Sequence, residues 1–163
     1  MSETEFTVIP ERQDVIATRV LDAPPNVVYE ACTNPSLIPE WWGPARLATS
    51  VEKLDARPGG VFRILQRDPQ GIDYAFHGVY HESTPRRIVR TMEFEGMTGQ
   101  VVLEVATLEE IDGKTKLTVK SIFESVDTRD RVFEMGMRDG MLESFDRLDA
   151  LLRRIQSGQR KAA

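Results

Sequence analysis

Features that would place this chain outside the cytoplasm are missing from its sequence. Cys32 is the only cysteine, so the chain can form no internal disulfide. No apolar run approaches the roughly 20 residues that a membrane-spanning helix requires. Residues 1–5 are acidic and lack the basic and apolar regions of a signal peptide. We therefore expect a cytoplasmic protein with no membrane span.

Basic residues and metal ligands are also scarce. With 21 basic and 26 acidic residues, the net charge of −5 leaves no basic surplus to neutralise phosphates, which argues against a nucleic-acid partner. His77 and His81, the only histidines, would lie roughly 13 Å apart on the outer face of a strand, too far apart to bind one metal ion. No phosphate-binding loop or nucleophile motif is present. We expect no metal or other cofactor, and the sequence gives an enzyme little support.

The longest helical pattern covers residues 128–155 and contains no proline. Its apolar residues recur every three or four positions, which is typical of one face of an α-helix, while charged residues occupy the other face. The apolar residues are Met137, Met141, Phe145, Leu148, Leu152 and Ile155. A continuous helix of about 28 residues would be a rod of roughly 42 Å. Such a rod needs a wide apolar surface, and we expect it to lie across a sheet.

The residues before this helix are predicted to be mostly strands. A first strand is expected at residues 14–23, where β-branched residues are frequent. Two short helices follow, one at residues 26–33 and one that Ser36 can cap. Six more strands are expected because turn-forming residues separate them. They cover about 46–55, 61–68, 73–81, 87–95, 100–109 and 115–124.

The order of these elements indicates an α+β fold. We expect a curved antiparallel sheet of about seven strands, wrapped around the long C-terminal helix, with two short helices after the first strand. The domain is predicted at residues 14–157, between an N-terminal tail of residues 1–13 and a C-terminal tail of residues 158–163. The space between a curved sheet and a helix is a natural pocket.

Short segments spread along the chain carry a family resemblance. They are residues 19–24 (RVLDAP) with 27–31 (VVYEA), 35–44 ending in WWGP, 57–63 (RPGGVFR), 78–82 (GVYHE), 85–91 beginning PRRIV, and 136–140 (GMRDG) with 146–148 (DRL). In this order they resemble the activator of Hsp90 ATPase homologue 1-like family, within the START-like (Bet v 1-like) superfamily, over roughly residues 14–155. The resemblance implies a helix-grip fold and relatives that mostly bind small molecules. The family's eukaryotic namesake stimulates a chaperone ATPase, so a chaperone partner is a second implication.

The predicted pocket would be lined mainly by aromatic, aliphatic and methionine side chains. Aromatic residues at alternating strand positions share one face, and methionines at helical spacing adapt to apolar ligands. The ligand-binding candidates are Trp41, Trp42, Phe62, Ile64, Tyr74, Phe76, Tyr80, Thr91, Glu104, Met137, Met141 and Phe145. The apolar members of this set could equally form ordinary core.

Several other residues have two interpretations. Glu104 or Glu93 could point inward as an acid or base, with Arg63 or Arg90 as its partner, or could be a surface charge. The alternation within residues 101–108 leaves open which face points inward.

Two glycines and the cysteine are equally open at this point. Gly136 and Gly140 lie four residues apart, on one face of the predicted helix. They would allow either tight packing on the sheet or room for a ligand. Cys32 is expected to be a buried structural thiol.

Three functions remain open from the sequence. The first is binding of a hydrophobic or amphipathic small molecule between sheet and helix, which an open cavity of about 300 Å³ or more would favour. The second is a chaperone regulator or other protein-interaction module, which would have a packed interior. The third is a cyclase- or hydrolase-type enzyme, which would need polar groups converging in the same cavity. A homodimer would suit a small protein of this type, but the sequence offers no interface for one.

Overall fold

The computed structural model describes the backbone of residues 2–162 and the side chains of residues 2–158. Within this part of the chain, eight strands form one antiparallel sheet in the order β1-β2-β8-β7-β6-β5-β4-β3. The strands are β1 (Glu5–Val8), β2 (Asp14–Leu21), β3 (Ala48–Leu54), β4 (Val61–Arg67), β5 (Asp73–Ser83), β6 (Arg87–Phe94), β7 (Val101–Ile111) and β8 (Lys114–Ile122). All seven predicted strands are present, and the α+β helix-grip fold is confirmed.

The additional strand is β1, which lies within the predicted N-terminal tail. Residues 5–8 pair with residues 15–18 of β2, and Phe6 packs its ring against Phe133 at 5.5 Å. The prediction of a tail up to residue 13 is wrong here, because backbone pairing with β2 and one half-buried side chain, Phe6, hold a short edge strand in place. Sequence alternation does not reveal so short a strand.

The two short helices differ in size. The first, α1 (Pro25–Thr33), lies where it was predicted, and the second is only a 3₁₀ turn, Ile38–Glu40. Ser36 does not cap this turn, because Leu37 occupies the N-cap position. The Ser36 backbone N–H donates to Oδ1 of Asn34. The Trp41 side chain then fixes the segment to α1 by donating from Nε1 to the Ala31 carbonyl at 2.9 Å.

The long C-terminal helix is broken near its start. It consists of α2 (Val126–Val132), a π-helical turn (Phe133–Met137) and α3 (Arg138–Ala162). Gly136 has φ of +132° within the turn, a conformation that residues with a Cβ rarely adopt. The prediction of one straight rod is therefore wrong. The predicted C-terminal tail is also wrong for most of its length, because α3 continues to Ala162.

Helix α3 covers only one end of the sheet. Phe145, Leu148, Leu151 and Leu152 pack with side chains of β2, β7, β8 and α1 in the larger core cluster. Met141 and Ile155 pack against the edge of this cluster, as the predicted apolar stripe requires. A second cluster, formed by Ile38, Phe62, Ile64, Tyr80 and Ile88, covers β4 to β6. No helix among the described residues is both long and apolar enough to cross a bilayer.

A buried ion pair joins α3 to β2 beneath the larger cluster. The Arg19 side chain, which is 1% exposed, contacts Asp149 of α3 at 3.2 Å and Asp146 at 2.5 Å. Asp149 is 3% exposed, whereas Asp146 is 64% exposed. The predicted solvated face of the helix includes Asp146, as observed, but no sequence pattern indicates that Arg19 points inward. A buried charge is stable only while its partner is present, so this pair fixes how α3 sits on the sheet.

We predict that Asp149→Ala lowers the free energy of unfolding by about 3–5 kcal/mol. The variant would leave the charge of Arg19 buried without its buried partner, Asp149. Asp146→Ala is the matched control and should cost less than about 1 kcal/mol, since water screens the exposed carboxylate. Urea unfolding of both variants measures the difference. Equal losses in the two variants would contradict the proposed anchoring.

Candidate functional site

A cavity of about 860 Å³ lies between the inner face of the sheet and the broken C-terminal helix. It forms because α3 packs on the β2–β8 end of the sheet. The helix therefore does not cover the inner faces of β4 to β6 or part of that of β7. Gly136 and Gly140 line the cavity, and a Cβ added to either would meet no atom within 4 Å. Of the two interpretations of these glycines, the structure therefore shows open space and not tight packing.

Ten of the twelve predicted ligand-binding residues line this cavity. They are Trp41, Trp42, Ile64, Tyr74, Phe76, Tyr80, Glu104, Met137, Met141 and Phe145. Alternate residues of each strand point to the cavity, and directly paired residues share a face of the sheet. Phe76, for example, pairs with Ile64 and Phe94 in the neighbouring strands, and all three line the cavity. Trp42 contacts Phe76 edge to face, with ring centres 5.1 Å apart.

Phe62 and Thr91 do not line the cavity. Phe62 is buried in the second core cluster, between Tyr80 and the guanidinium of Arg90. Thr91 alternates with the inward-facing residues of β6, and its hydroxyl accepts a hydrogen bond from the Val79 N–H at 3.1 Å. The prediction for Thr91 is wrong because the inner face of β6 is set by Ile88, Arg90 and Met92.

Several lining residues were absent from the predicted set. They include Cys32, Gln66, Ile88, Arg90, Met92 and Phe94. The two-residue period that runs through β6 could have identified most of them once one inward residue was known. Cys32 belongs to the wall of the cavity, where burial raises the pKa of its thiol to about 12. This thiol is therefore protonated at neutral pH.

The turn that joins β6 to β7 and the π-helical turn both border the cavity. Met97, Gln100 and Val101 lie on one side, and Met135 lies on the other. Met135 is 71% exposed, so it belongs to the rim and not to the interior, contrary to the adaptable inner lining expected from the methionine spacing.

The rim turn is fastened from the outer face of the sheet. Glu95 accepts hydrogen bonds from Arg63 at 2.8 Å and from His77, whose Nδ1 lies 2.9 Å away. The hydrogen bond from Arg63, aided by the one from His77, lowers the pKa of Glu95 to about 2. His77 thus has an electrostatic role on the outer face. No cluster of metal-ligating side chains occurs among the described residues.

Four polar residues form a row across the inner face of the sheet. Strand register places Tyr80 opposite Arg90, Arg90 opposite Glu104, and Glu104 opposite Ser121. Directly opposed residues in antiparallel strands lie roughly 5 Å apart, so the row runs across β5, β6, β7 and β8. This register also answers which face of β7 points inward: it is the face of Val102, Glu104 and Ala106. We call these four residues the polar row.

The centre of the polar row is an ion pair. Arg90 donates from Nε to Oε1 of Glu104 at 3.0 Å, and both side chains are largely buried. Burial opposes the charge of Arg90, but Glu104 and Tyr80 outweigh this effect and raise the pKa of the guanidinium. Arg90 is also held over the Phe62 ring, with 4.5 Å between the guanidinium carbon and the ring centre.

The two ends of the polar row carry hydroxyls without partners. Neither the Tyr80 hydroxyl nor that of Ser121 has a hydrogen-bond partner within the described part of the chain. Tyr80 is 1% exposed and lines the cavity, whereas Ser121 is buried behind the lining. Burial raises the pKa of the Tyr80 phenol, and the charge of Arg90 opposes that effect. A buried hydroxyl without a partner destabilises the fold, so the cavity contains unused hydrogen-bonding capacity.

The fold and the site together define a helix-grip protein with an internal cavity. Residues 22–153 match the family described as Activator of Hsp90 ATPase homolog 1-like protein, and the chain belongs to that family. No protein with a curated description matches the chain significantly.

Solved structures from several bacteria share this fold. Ms6760 from Mycobacterium smegmatis is 24% identical, with a TM-score of 0.83 over 91% of this chain and 96% of its own. A protein from Rhodobacter sphaeroides is 22% identical, with a TM-score of 0.85 over 93% of this chain and 99% of its own. NE0264 from Nitrosomonas europaea is 26% identical, with a TM-score of 0.77 over 89% and 97%. These likenesses show the architecture and leave the ligand to be inferred from the site.

We predict that Tyr80→Phe raises the free energy of unfolding by about 1 kcal/mol, because it removes a buried hydroxyl that has no partner. Tyr29→Phe is the matched control, since the Tyr29 hydroxyl lies 2.7 Å from Oγ of Ser83 in a hydrogen bond. That variant should lose about 1 kcal/mol. Urea unfolding of ligand-free protein provides both values. A loss in Tyr80→Phe comparable to that in Tyr29→Phe would show that the Tyr80 hydroxyl is bonded within the fold.

Proposed function

We propose that this protein binds a hydrophobic or amphipathic small molecule in the cavity between the sheet and the C-terminal helix. The observation that carries the proposal is the open volume of about 860 Å³, bounded mainly by apolar side chains. Small-molecule sites in proteins are concave and mostly apolar, with a few polar groups that orient the ligand. A protein-interaction module was expected to have a packed interior, so the cavity favours a ligand-binding role over that alternative.

The walls of the cavity suit an apolar ligand of variable shape. Met92, Met137 and Met141 are flexible, and the Trp42 and Phe76 rings offer flat surfaces. Each 100 Å² of apolar ligand surface removed from water would contribute about 2.5 kcal/mol to binding. Hydrophobic burial would therefore supply most of the affinity.

The polar groups in the cavity favour binding over catalysis. A general acid or base must be free to exchange a proton with the substrate. Glu104 is already engaged by Arg90, and the Cys32 thiol is protonated because burial raises its pKa to about 12. Thr91, a candidate for an enzyme role, faces away from the cavity. These observations favour a binding protein.

Filling part of the cavity should weaken binding without harming the fold. Gly140→Leu places a side chain in the open space that Gly140 borders, and it replaces a helix-destabilising glycine. We predict that the neutral dye N-phenyl-1-naphthylamine binds the wild-type protein saturably, with enhanced fluorescence. In Gly140→Leu we expect affinity at least about tenfold weaker, since bound apolar area is lost.

Gly158→Leu is the matched control for this experiment. Gly158 lies in the same helix, is exposed, and has no atom within 4 Å of an added Cβ. It does not line the cavity, so dye binding should equal that of the wild type. Equal dye affinity in both leucine variants, or no saturable dye binding to the wild type, would overturn the proposed function.

A further inference from the structure

We propose that Tyr80, Arg90 and Glu104 form a subsite for the uncharged polar head of the ligand, a hydroxyl or a carbonyl group. This inference rests on the proposed function, because it assigns a ligand class to the same cavity. All three residues line the cavity, and the strand register holds them side by side. The rest of the ligand would lie against the apolar walls.

The Tyr80 hydroxyl is the first argument for a ligand. Tyr80 is 1% exposed and lines the cavity. Its hydroxyl has no hydrogen-bond partner among the residues described. The Phe62 ring packs directly against the Tyr80 ring, with 5.5 Å between the ring centres. This packing uses only the ring of Tyr80, so it does not require the hydroxyl. A ligand oxygen would satisfy a hydroxyl that the fold leaves without a partner.

The ion pair supplies the second argument, because it combines donors and acceptors at one place. Arg90 uses Nε for Glu104, and its guanidinium lies beside the Tyr80 hydroxyl. Its remaining N–H groups can donate to a carbonyl or hydroxyl oxygen, and the second carboxylate oxygen of Glu104 can accept from a hydroxyl. A head group with a single oxygen could therefore interact with several members of the subsite.

Charge decides between a neutral and an anionic head. Glu104 already neutralises Arg90, so a carboxylate head would add an uncompensated negative charge to a mostly apolar cavity. The other charged residues that border the cavity, Arg46, Glu124, Asp139 and Glu143, are all exposed. They lie where water screens them, so they do not alter this balance inside. The subsite thus favours alcohols, phenols and ketones over fatty acids.

Three naphthalene probes that differ only in the head group test this inference by isothermal titration calorimetry. We expect 2-naphthol to bind the wild-type protein about tenfold more tightly than 2-methylnaphthalene, because it satisfies the subsite. We expect 2-naphthoate to bind no better than 2-methylnaphthalene. Equal affinity for 2-naphthol and 2-methylnaphthalene, or a preference for 2-naphthoate, would overturn the inference.

Two variants assign the preference to the subsite. Tyr80→Phe should reduce the roughly tenfold preference for 2-naphthol over 2-methylnaphthalene to none, measured as the ratio of the two affinities in the same variant. Glu104→Gln keeps the side-chain shape but removes the negative charge that neutralises Arg90. The affinity for 2-naphthoate should therefore rise about tenfold. An unchanged 2-naphthol preference in Tyr80→Phe would contradict the role of that hydroxyl.

The same titrations separate two kinds of failure. If 2-methylnaphthalene binds but the head group makes no difference, the subsite is wrong and the cavity remains a ligand site. If none of the three probes binds the wild-type protein, the proposed function and this inference both fail.

Discussion

The packing of α3 on one end of the sheet is the constraint on which the cavity depends. Leucine and phenylalanine side chains of α3 cover β2, β7 and β8, and the buried Arg19–Asp149 contact fixes the helix there. A helix held at one end of a wide, curved sheet cannot also cover the other end. The preceding helix α2 also lies near β2, where Arg129 donates to the Ile9 carbonyl, so that the space above β4 to β6 stays open.

The antiparallel register places neighbouring polar side chains at one point of this open space. Tyr80, Arg90 and Glu104 come from three successive strands, yet pairing places them next to one another. The arrangement includes a buried hydroxyl without a partner, which a protein selected only for stability would replace. Polar groups kept at such a cost are typical of sites that bind a ligand, and they support the ligand-binding role that we propose from the open volume.

Sequence patterns predicted the strands because alternation and turn residues are local signals. Most of the candidate residues that they proposed do line the cavity, since residues such as Phe76 and Tyr80 share a face whatever the tertiary structure. They missed β1, whose strand depends on tertiary contact through Phe6. They also missed the break at Gly136, because no proline interrupts residues 128–155 and a glycine alone does not indicate its φ. The buried charge of Arg19 and the outward direction of Thr91 depend on which face packs, and alternation alone leaves that open.

The most direct test of cavity binding is NMR of the methionine methyl groups during titration with 2-naphthol. Five of the six methionines line the cavity, and Met92, Met137 and Met141 lie on its walls while Met135 lies at the rim. Binding in the cavity predicts saturable shifts of the ε-methyl signals of the three wall residues, with a single dissociation constant. Saturable 2-naphthol binding that leaves those three signals unchanged would place the ligand elsewhere and contradict the account.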